Sequence, residues 1–401
     1  MTDPMDVLVA HNYYRQPGGE DEVFESEARL LESRGHRAIR FTMHNDESGR
    51  IGRPALAAAT IWNRRSYARI RDLIRVERPA VVHLHNTFPL ISPSAYAAAQ
   101  DGGCAVVQTL HNYRLVCPNG LLFRAGRPCE ECLGRSVAWP AVLHKCYRQS
   151  RAAGAVSASM LAVHHAAGTY RRMVDAYIAP SEFVRKKLIL GGLPGEKIHV
   201  KPHFVSPDPG LGLGAGGFAL FVGRFSPGKG IDTLLAAWPL LSGPRRIALK
   251  IIGDGEMADQ VRQAAGGCPN IEWLGRKPSG EVRRIMGDAA CLIHPSECYE
   301  TFGLVVIEAF SKGTPVIAAD HGAAGELVAG SGAGLLFRAG DPHDLARKVE
   351  ELIGGRADAA GMRLRSREEY EARYTGDRNY EQLMDIYQRA LSRVRSVGEG
   401  S

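Results

Sequence analysis

The chain has 401 residues, 45% hydrophobic and 23% charged, which excludes a disordered polymer and leaves room for two domains of ordinary size. Its formal net charge of +7 is lopsided, since residues 1–200 hold 26 Lys and Arg against 18 Asp and Glu and the remainder holds 24 against 25. Cations concentrated in the first half suit an anionic lipid surface or a phosphate-bearing substrate, and without a recognisable nucleic-acid-binding motif no nucleic acid is expected as a partner.

The opening "MTDPMDVLVAHNYY" lacks the basic n-region of a signal peptide, and no apolar run reaches the roughly 18 to 20 residues that cross a bilayer, so a cytoplasmic protein is expected. "DVLVAHNYY" predicts a short buried strand. The loop "RQPGGEDE" follows it, then a helix over "EVFESEARLLESRG" with Val23, Ala28, Leu30 and Leu31 on its apolar stripe and Gly35 as its stop. With "RAIRFT" as the next strand, the order is that of a doubly wound α/β domain. "AVVHLHN" and "AVVQTLHNYR" predict further strands with polar residues at their carboxyl ends, where ligands bind in open α/β sheets. "RQSRAAGAVSASMLAVHHAAGTYRRMV" predicts one long helix with Arg148, Arg151, Arg171 and Arg172 at its ends. That pattern fits an internal helix with polar termini or one lying on a bilayer surface.

"SPDPGLGLGAGG", Ser206 to Gly217, predicts an interdomain linker. Its glycines precede a strand, whereas a dinucleotide fingerprint requires them to follow one, so that reading is rejected. A second α/β series runs through "FALFVGRF", "ALKIIGDG", "IEWLG", "ACLIHPS" and "TPVIAAD", and "RNYEQLMDIYQRALSRV" predicts an amphipathic helix that packs back on one of the domains. The predicted boundaries are 1–207 for the first domain, 208–216 for the linker, 217–376 for the second domain and 377–401 for the helix and tail.

The chemistry concentrates in the second series. "FVGRFSPGKGIDTLL" places Gly223, Arg224 and Lys229 between a strand and a helix, where two cations and a helix N-terminus suit a diphosphate. Gly253 ends the strand of "LKIIGDGEM", and Gly275 and Arg276 in "IEWLGRKPSGEV" lie where a nucleotide base would sit; an ordinary strand-to-turn transition fits either stretch equally well alone. "SECYETFGLVVIEAF" reads as a turn carrying Glu300 into a helix that starts near Phe302 and Gly303. The N–H groups of Gly303 and Leu304 then face an anion, Glu300 accepts sugar hydroxyls, and Glu308, more than a turn inside, accepts ribose hydroxyls that satisfy its charge.

Together "FVGRFSPGKG", "IIGDG", "LG" and "ECYETFGLVVIEAFSKGTPVIAAD" resemble the nucleotide-sugar domain of family 4 retaining glycosyltransferases. "GG" at Gly18 and Gly19, "TLHNY" and "APSEF" extend the resemblance over nearly the whole chain. It implies the GT-B fold, two doubly wound Rossmann-like domains facing across a cleft. It also implies transfer from a UDP- or GDP-sugar donor to a glycan or lipid-linked acceptor of bacterial surface polysaccharide or lipopolysaccharide synthesis, with peripheral contact to the cytosolic membrane leaflet. Arg224 and Lys229 would hold the diphosphate, Glu300 the transferred sugar and Glu308 the ribose. Gly18 and Gly19 would admit the donor phosphates and acceptor, while His111, Asn112 and Ser181 would line the acceptor side. His111, Glu300, Arg224 and Lys229 form the implied catalytic set, with no metal needed for the diphosphate because the cations neutralise it. His203 stands where the family often has asparagine. The competing readings are a sugar-nucleotide epimerase on a similar fold and a non-catalytic nucleotide-sugar-binding protein.

Four of the eight cysteines cluster: Cys117, Cys129 and Cys132 in "CEEC", and Cys146. They suit either a structural zinc site, stapling an insertion at residues 113–147, or four reduced thiols.

Overall fold

The computed structural model describes residues 3–16, 18–241 and 247–398, the last four by backbone alone. Residues 399–401 of the predicted tail lie outside the described residues. The chain's contacts group it into two compact units. One comprises Met1–Leu122, Glu130–Pro202 and Asn379–Ser401, the other Phe123–Cys129 and His203–Arg378.

In chain order the elements are β1 (Asp6–Tyr13), α1 (Gly19–Ser33), β2 (Arg37–His44), α2 (Arg53–Ile61), α3 (Arg64–Glu77), β3 (Val81–Leu84), α4 (Ser94–Asp101) and β4 (Ala105–Thr109). There follow the hairpin β5 (Phe123–Arg124) and β6 (Arg127–Pro128), then α5 (Trp139–Leu143), α6 (Arg151–Ala166), α7 (Thr169–Arg172), β7 (Ala176–Ala179), α8 (Glu182–Leu190) and β8 (Ile198–Val200). The second unit continues with β9 (Phe218–Val222), α9 (Ile231–Ala237), β10 (Ala248–Ile252), α10 (Ala258–Gly267), β11 (Ile271–Gly275), α11 (Ser279–Asp288) and β12 (Cys291–His294). It ends with α12 (Leu304–Ser311), β13 (Val316–Ala319), α13 (Gly322–Ser331), β14 (Gly334–Phe337), α14 (Pro342–Ile353) and α15 (Ala359–Arg373), after which α16 (Gly376–Gly398) enters the first unit at Asn379.

Each unit is built on a parallel six-stranded sheet, β2-β1-β3-β4-β7-β8 in the first and β11-β10-β9-β12-β13-β14 in the second. Both are doubly wound Rossmann-like sheets. Val7, Leu8, Val9 and Ala10 of β1 are all buried, because helices cover both faces of a parallel sheet and its strands read as unbroken apolar runs. Helix α1 opens on Gly18, whose N–H donates to Asp21 Oδ2 at 2.9 Å, and carries Glu20, Asp21 and Glu22 in its first turn, favourable to the helix dipole. Its buried face holds Phe24 and Glu27 beside the predicted stripe. The core of the first unit is completed by α16, whose Leu383, Met384, Ile386, Tyr387 and Ala390 pack with Val7, Phe24 and Val107.

Three features depart from the sequence expectation. The long helix expected before the seventh strand is two, α6 and α7, broken at Gly168, whose φ of 67° is left-handed. The first run of chain leaves its unit after Pro202, ahead of the predicted 207, and the hairpin β5–β6 groups with the second unit. The glycine-rich stretch is a strap bound along the second unit: the N–H groups of Gly212, Gly214 and Gly216 donate to the carbonyls of Lys312, Gly287 and Asp288 at 3.0, 2.9 and 2.8 Å. Its alternating glycines follow from that close approach, since a β-carbon on Gly212 would lie 2.1 Å from the Gly287 oxygen.

Candidate active site

In the second unit the carboxyl ends of β9, β10 and β11 meet through glycine. Gly223 N–H donates to Ile252 O at 3.1 Å and Gly253 N–H to Gly275 O at 3.0 Å. A β-carbon on Gly253 would stand 1.9 Å from the Gly223 oxygen. Arg224 is exposed just beyond β9, and Arg276 extends past β11 with its Nε 3.4 Å from Asp254 Oδ2.

The loop between β9 and α9 is stitched to the segment after β12. The Gly228 carbonyl accepts from Glu297 N–H at 2.8 Å, Cys298 N–H at 3.0 Å and Ser296 Oγ at 3.1 Å. This brings Lys229 Nζ to 2.7 Å from Glu300 Oε1, with His294 Nε2 3.4 Å from the same oxygen. Burial pushes the Glu300 carboxyl up, but the Lys229 ammonium, His294 and hydrogen bonds from Lys229 and Ser296 override it and hold the carboxyl down at about 2. Burial likewise depresses Lys229, and Glu300 reverses the direction, so its ammonium is held above the usual lysine range. Burial keeps His294 below the ordinary imidazole value. Lys229 and Glu300, expected from the sequence to meet different parts of a donor, are a bonded pair.

Gly303, with φ of 106°, caps α12, and Phe302 before it is buried with its ring edge on His203, centroids 5.0 Å apart. Leu304 is the first residue of α12, and Glu308 lies on a half-buried face with the Arg283 guanidinium 3.8 Å away. The charge that looked costly inside an apolar run is therefore met by an arginine from α11. The hairpin sits on the same loop, since a β-carbon on Gly228 would meet the Phe123 ring at 2.9 Å.

The first unit gathers a second set at the ends of β1, β3 and β4. His111 Nε2 lies 2.9 Å from His85 Nδ1, and Asn112 Nδ2 donates to Glu20 Oε1 at 2.8 Å, where burial pushes the Glu20 carboxyl up. His11 Nε2 contacts Asp21 Oδ1 at 2.7 Å. Gly18 and Gly19 form the start of α1, and Ser181 caps α8 by accepting from Val184 N–H at 3.2 Å. Sequence reading missed Glu27, His83, His85, Lys201 and His294. Two signals were present: "HLH" puts His83 and His85 on one face of a strand, and Glu27 falls four residues from both Val23 and Leu31 on an apolar stripe.

Among the described residues, one group of three metal-ligand side chains has all its donor atoms within 4.8 Å, namely Glu27, His83 and His85. A cation is already supplied there by Lys201, whose Nζ lies 2.8 Å from Glu27 Oε1, and both His83 nitrogens are engaged at 2.8 Å, by Tyr387 and Thr109 hydroxyls. Cys117 is buried and its Sγ donates to Asn119 Oδ1 at 2.9 Å, while Cys129, Cys132 and Cys146 are half-buried.

A family model described as glycosyltransferase family 4 matches residues 17–209, and one described as glycosyl transferases group 1 matches residues 217–354. An uncharacterized glycosyltransferase of Methanocaldococcus jannaschii is 38% identical over 138 residues, 34% of this chain and 38% of the relative. The amylovoran biosynthesis glycosyltransferase AmsK of Erwinia amylovora is 28% identical over 225 residues, 52% of this chain and 55% of the relative. The chain thus spans about a third to a half of the length of the curated relatives it matches. The solved structure of Anabaena HepE in complex with UDP superposes with a TM-score of 0.66 at 17% identity, over 96% of this chain and 100% of that one, and HepE is also solved with UDP-glucose. At that identity the likeness is one of fold.

Proposed function

The chain belongs to glycosyltransferase family 4 with the GT-B fold, and from that premise we propose that it transfers a sugar from a UDP- or GDP-sugar to a glycan or lipid-linked acceptor of a surface polysaccharide, with retention of configuration. The observation that carries this reading is the Lys229–Glu300 pair, fixed by the Gly228 carbonyl at the carboxyl end of a parallel sheet. The likeness to a polysaccharide-building relative and to a fold solved with UDP supports it.

On this reading Lys229 and Arg224 receive the diphosphate, and Glu300 exchanges its ammonium partner for sugar hydroxyls. Glu308, already beside Arg283, accepts the ribose hydroxyls. The sugar C1–O bond to the diphosphate breaks as a bond from C1 to the acceptor oxygen forms on the same face, and the acceptor's proton passes to the departing phosphate oxygen. His111 serves the acceptor side. Side-chain cations supply the electrostatic stabilisation of the leaving group, so no divalent ion is required for donor binding.

A peripheral membrane contact accords with the surface around α5 and α6. Val137, Trp139, Leu143 and Val163 are about half exposed around an open apolar groove of about 600 Å³. Residues 135–174 contain six Lys and Arg and no Asp or Glu, and the Arg135 guanidinium lies 5.6 Å from the Trp139 ring centroid. Apolar side chains inside a cationic field match an anionic bilayer surface. No helix among the described residues is long and apolar enough to cross one.

The deciding experiment is calorimetry of the protein with UDP, GDP, ADP and dTDP and their sugar conjugates in the presence of a chelator. Selective binding of one nucleotide, weakened at least tenfold by Lys229→Ala, is the expected result. Conversion of a donor sugar without any acceptor would favour an epimerase. Binding with neither transfer nor slow donor hydrolysis would favour a non-catalytic binding protein.

A further inference from the structure

His111 does not stand alone at its strand end. Its Nε2 meets His85 Nδ1 at 2.9 Å, with the two rings stacked at a centroid distance of 5.1 Å. On its far side His85 presents Nε2 to Glu27 Oε2 at 3.6 Å, and the other carboxylate oxygen of Glu27 holds Lys201 Nζ at 2.8 Å. Lys201 donates in turn to Asn379 Oδ1 at 3.1 Å. Every member of this row is buried. His83 packs against His85 with centroids 4.5 Å apart, and the His11 ring lies 6.3 Å away on the other flank.

We propose that His85, oriented by the Glu27–Lys201 pair, is a positioning residue that fixes His111 in the tautomer carrying its proton on Nε2 and its lone pair on Nδ1. The role of His111 toward a sugar rests on the function proposed above, but the tautomer does not. The argument is one of proton counting. Burial above all holds His85 well below the ordinary imidazole value, so it is neutral at pH 7 with one N–H and one lone pair. The Lys201 ammonium at 2.8 Å favours the carboxylate form of Glu27, and that charge, 3.6 Å from Nε2 and so beyond hydrogen-bond length, favours the His85 N–H on its side of the ring. Nδ1 of His85 is then an acceptor, and the hydrogen bond across 2.9 Å requires the proton to be on His111 Nε2.

The reverse tautomer would turn a His85 lone pair toward the Glu27 carboxylate, and between two buried groups that repulsion is weakly screened. His83 is held as a neutral ring, burial lowering it to about 4, with each nitrogen at 2.8 Å from a hydroxyl. It therefore adds no charge that would favour the reverse arrangement. The assigned tautomer makes His111 Nδ1 a hydrogen-bond acceptor, suited to a hydroxyl group and unsuited to donating to a phosphate oxygen.

The test is the long-range proton–nitrogen spectrum of the ligand-free protein labelled with nitrogen-15 histidine, with His111 identified by loss of its signals in His111→Gln. In the wild type at pH 7.5 the Nε2–H form of His111 should exceed the Nδ1–H form by at least about tenfold. In His85→Leu, and in the charge-neutral pair Glu27→Gln with Lys201→Met, the excess should fall at least about fivefold. A wild-type spectrum showing the Nδ1–H form or an imidazolium overturns the proposal even if the variants do not fold. An unchanged ratio in folded His85→Leu overturns it as well. No donor or acceptor is needed, so a failure here is separate from a failure of the proposed transfer.

Discussion

Glu300 carries a charge that burial alone would neutralise. What keeps it ionised is Lys229 at 2.7 Å, so the two residues succeed or fail together. Glu300→Gln should lower turnover at least about a hundredfold, roughly 3 kcal/mol, while leaving nucleotide affinity nearly unchanged; steady-state kinetics beside calorimetry would separate the two effects. Lys229→Ala should weaken both. The sign of the pH dependence follows from the carboxyl being lowered to about 2: its contribution to stability is complete above the ordinary carboxyl value and is lost as pH falls through the folded value. The stability gap between wild type and Glu300→Gln, measured by denaturant unfolding, should therefore be flat from pH 5 to neutral at on the order of 2 kcal/mol, and should narrow between about pH 4 and pH 2. A gap that widens in acid would place the charge elsewhere.

At the scale of elements, the loop around Lys229 depends on the backbone meeting backbone. Gly230 caps α9 with φ of 68°, and a β-carbon there would stand 1.9 Å from the Pro295 oxygen. Gly230→Ala should cost roughly 2 to 4 kcal/mol in thermal unfolding and should also weaken nucleotide binding. Gly355→Ala, at a similar φ of 74° with nothing within 4 Å, should cost only about 1 kcal/mol. Parallel strands buried on both faces leave apolar runs, so β1, β3, β4, β9, β10, β12 and β13 were readable along the chain, as was the cap at Gly303. The short edge strands β8 and β14 and the break at Gly168 were not, because neighbours across the sheet and packing of the following turn decide them. Glu300 and Lys229 were legible as separate motifs, but their bond spans 71 residues. Lys201 and Glu27 are 174 positions apart, and nothing local to either one announces the other.

For the molecule as a whole, the lopsided charge of the sequence has a structural counterpart in the acid-free stretch from 135 to 174. Vesicles containing phosphatidylglycerol should retain the protein in sedimentation where pure phosphatidylcholine does not, and 0.5 M salt should release most of it, because screening shortens the reach of the arginines. Trp139→Ala with Leu143→Ala should reduce retention at least about fivefold without changing nucleotide affinity. Equal retention on both vesicles would argue for a protein partner or a second copy at this groove.

The return of α16 has a consequence for how the chain comes into being. The first unit is mostly encoded early, yet five of its core residues, Leu383 to Ala390, are made after the second unit, together with the Tyr387 hydroxyl for His83 and the Asn379 oxygen for Lys201. As the chain leaves the ribosome, its second unit is complete before its first. A nascent chain halted before residue 379 would expose an apolar groove and a buried charge row lacking some of its partners. The machinery around His111 therefore becomes whole only after the second unit has been made.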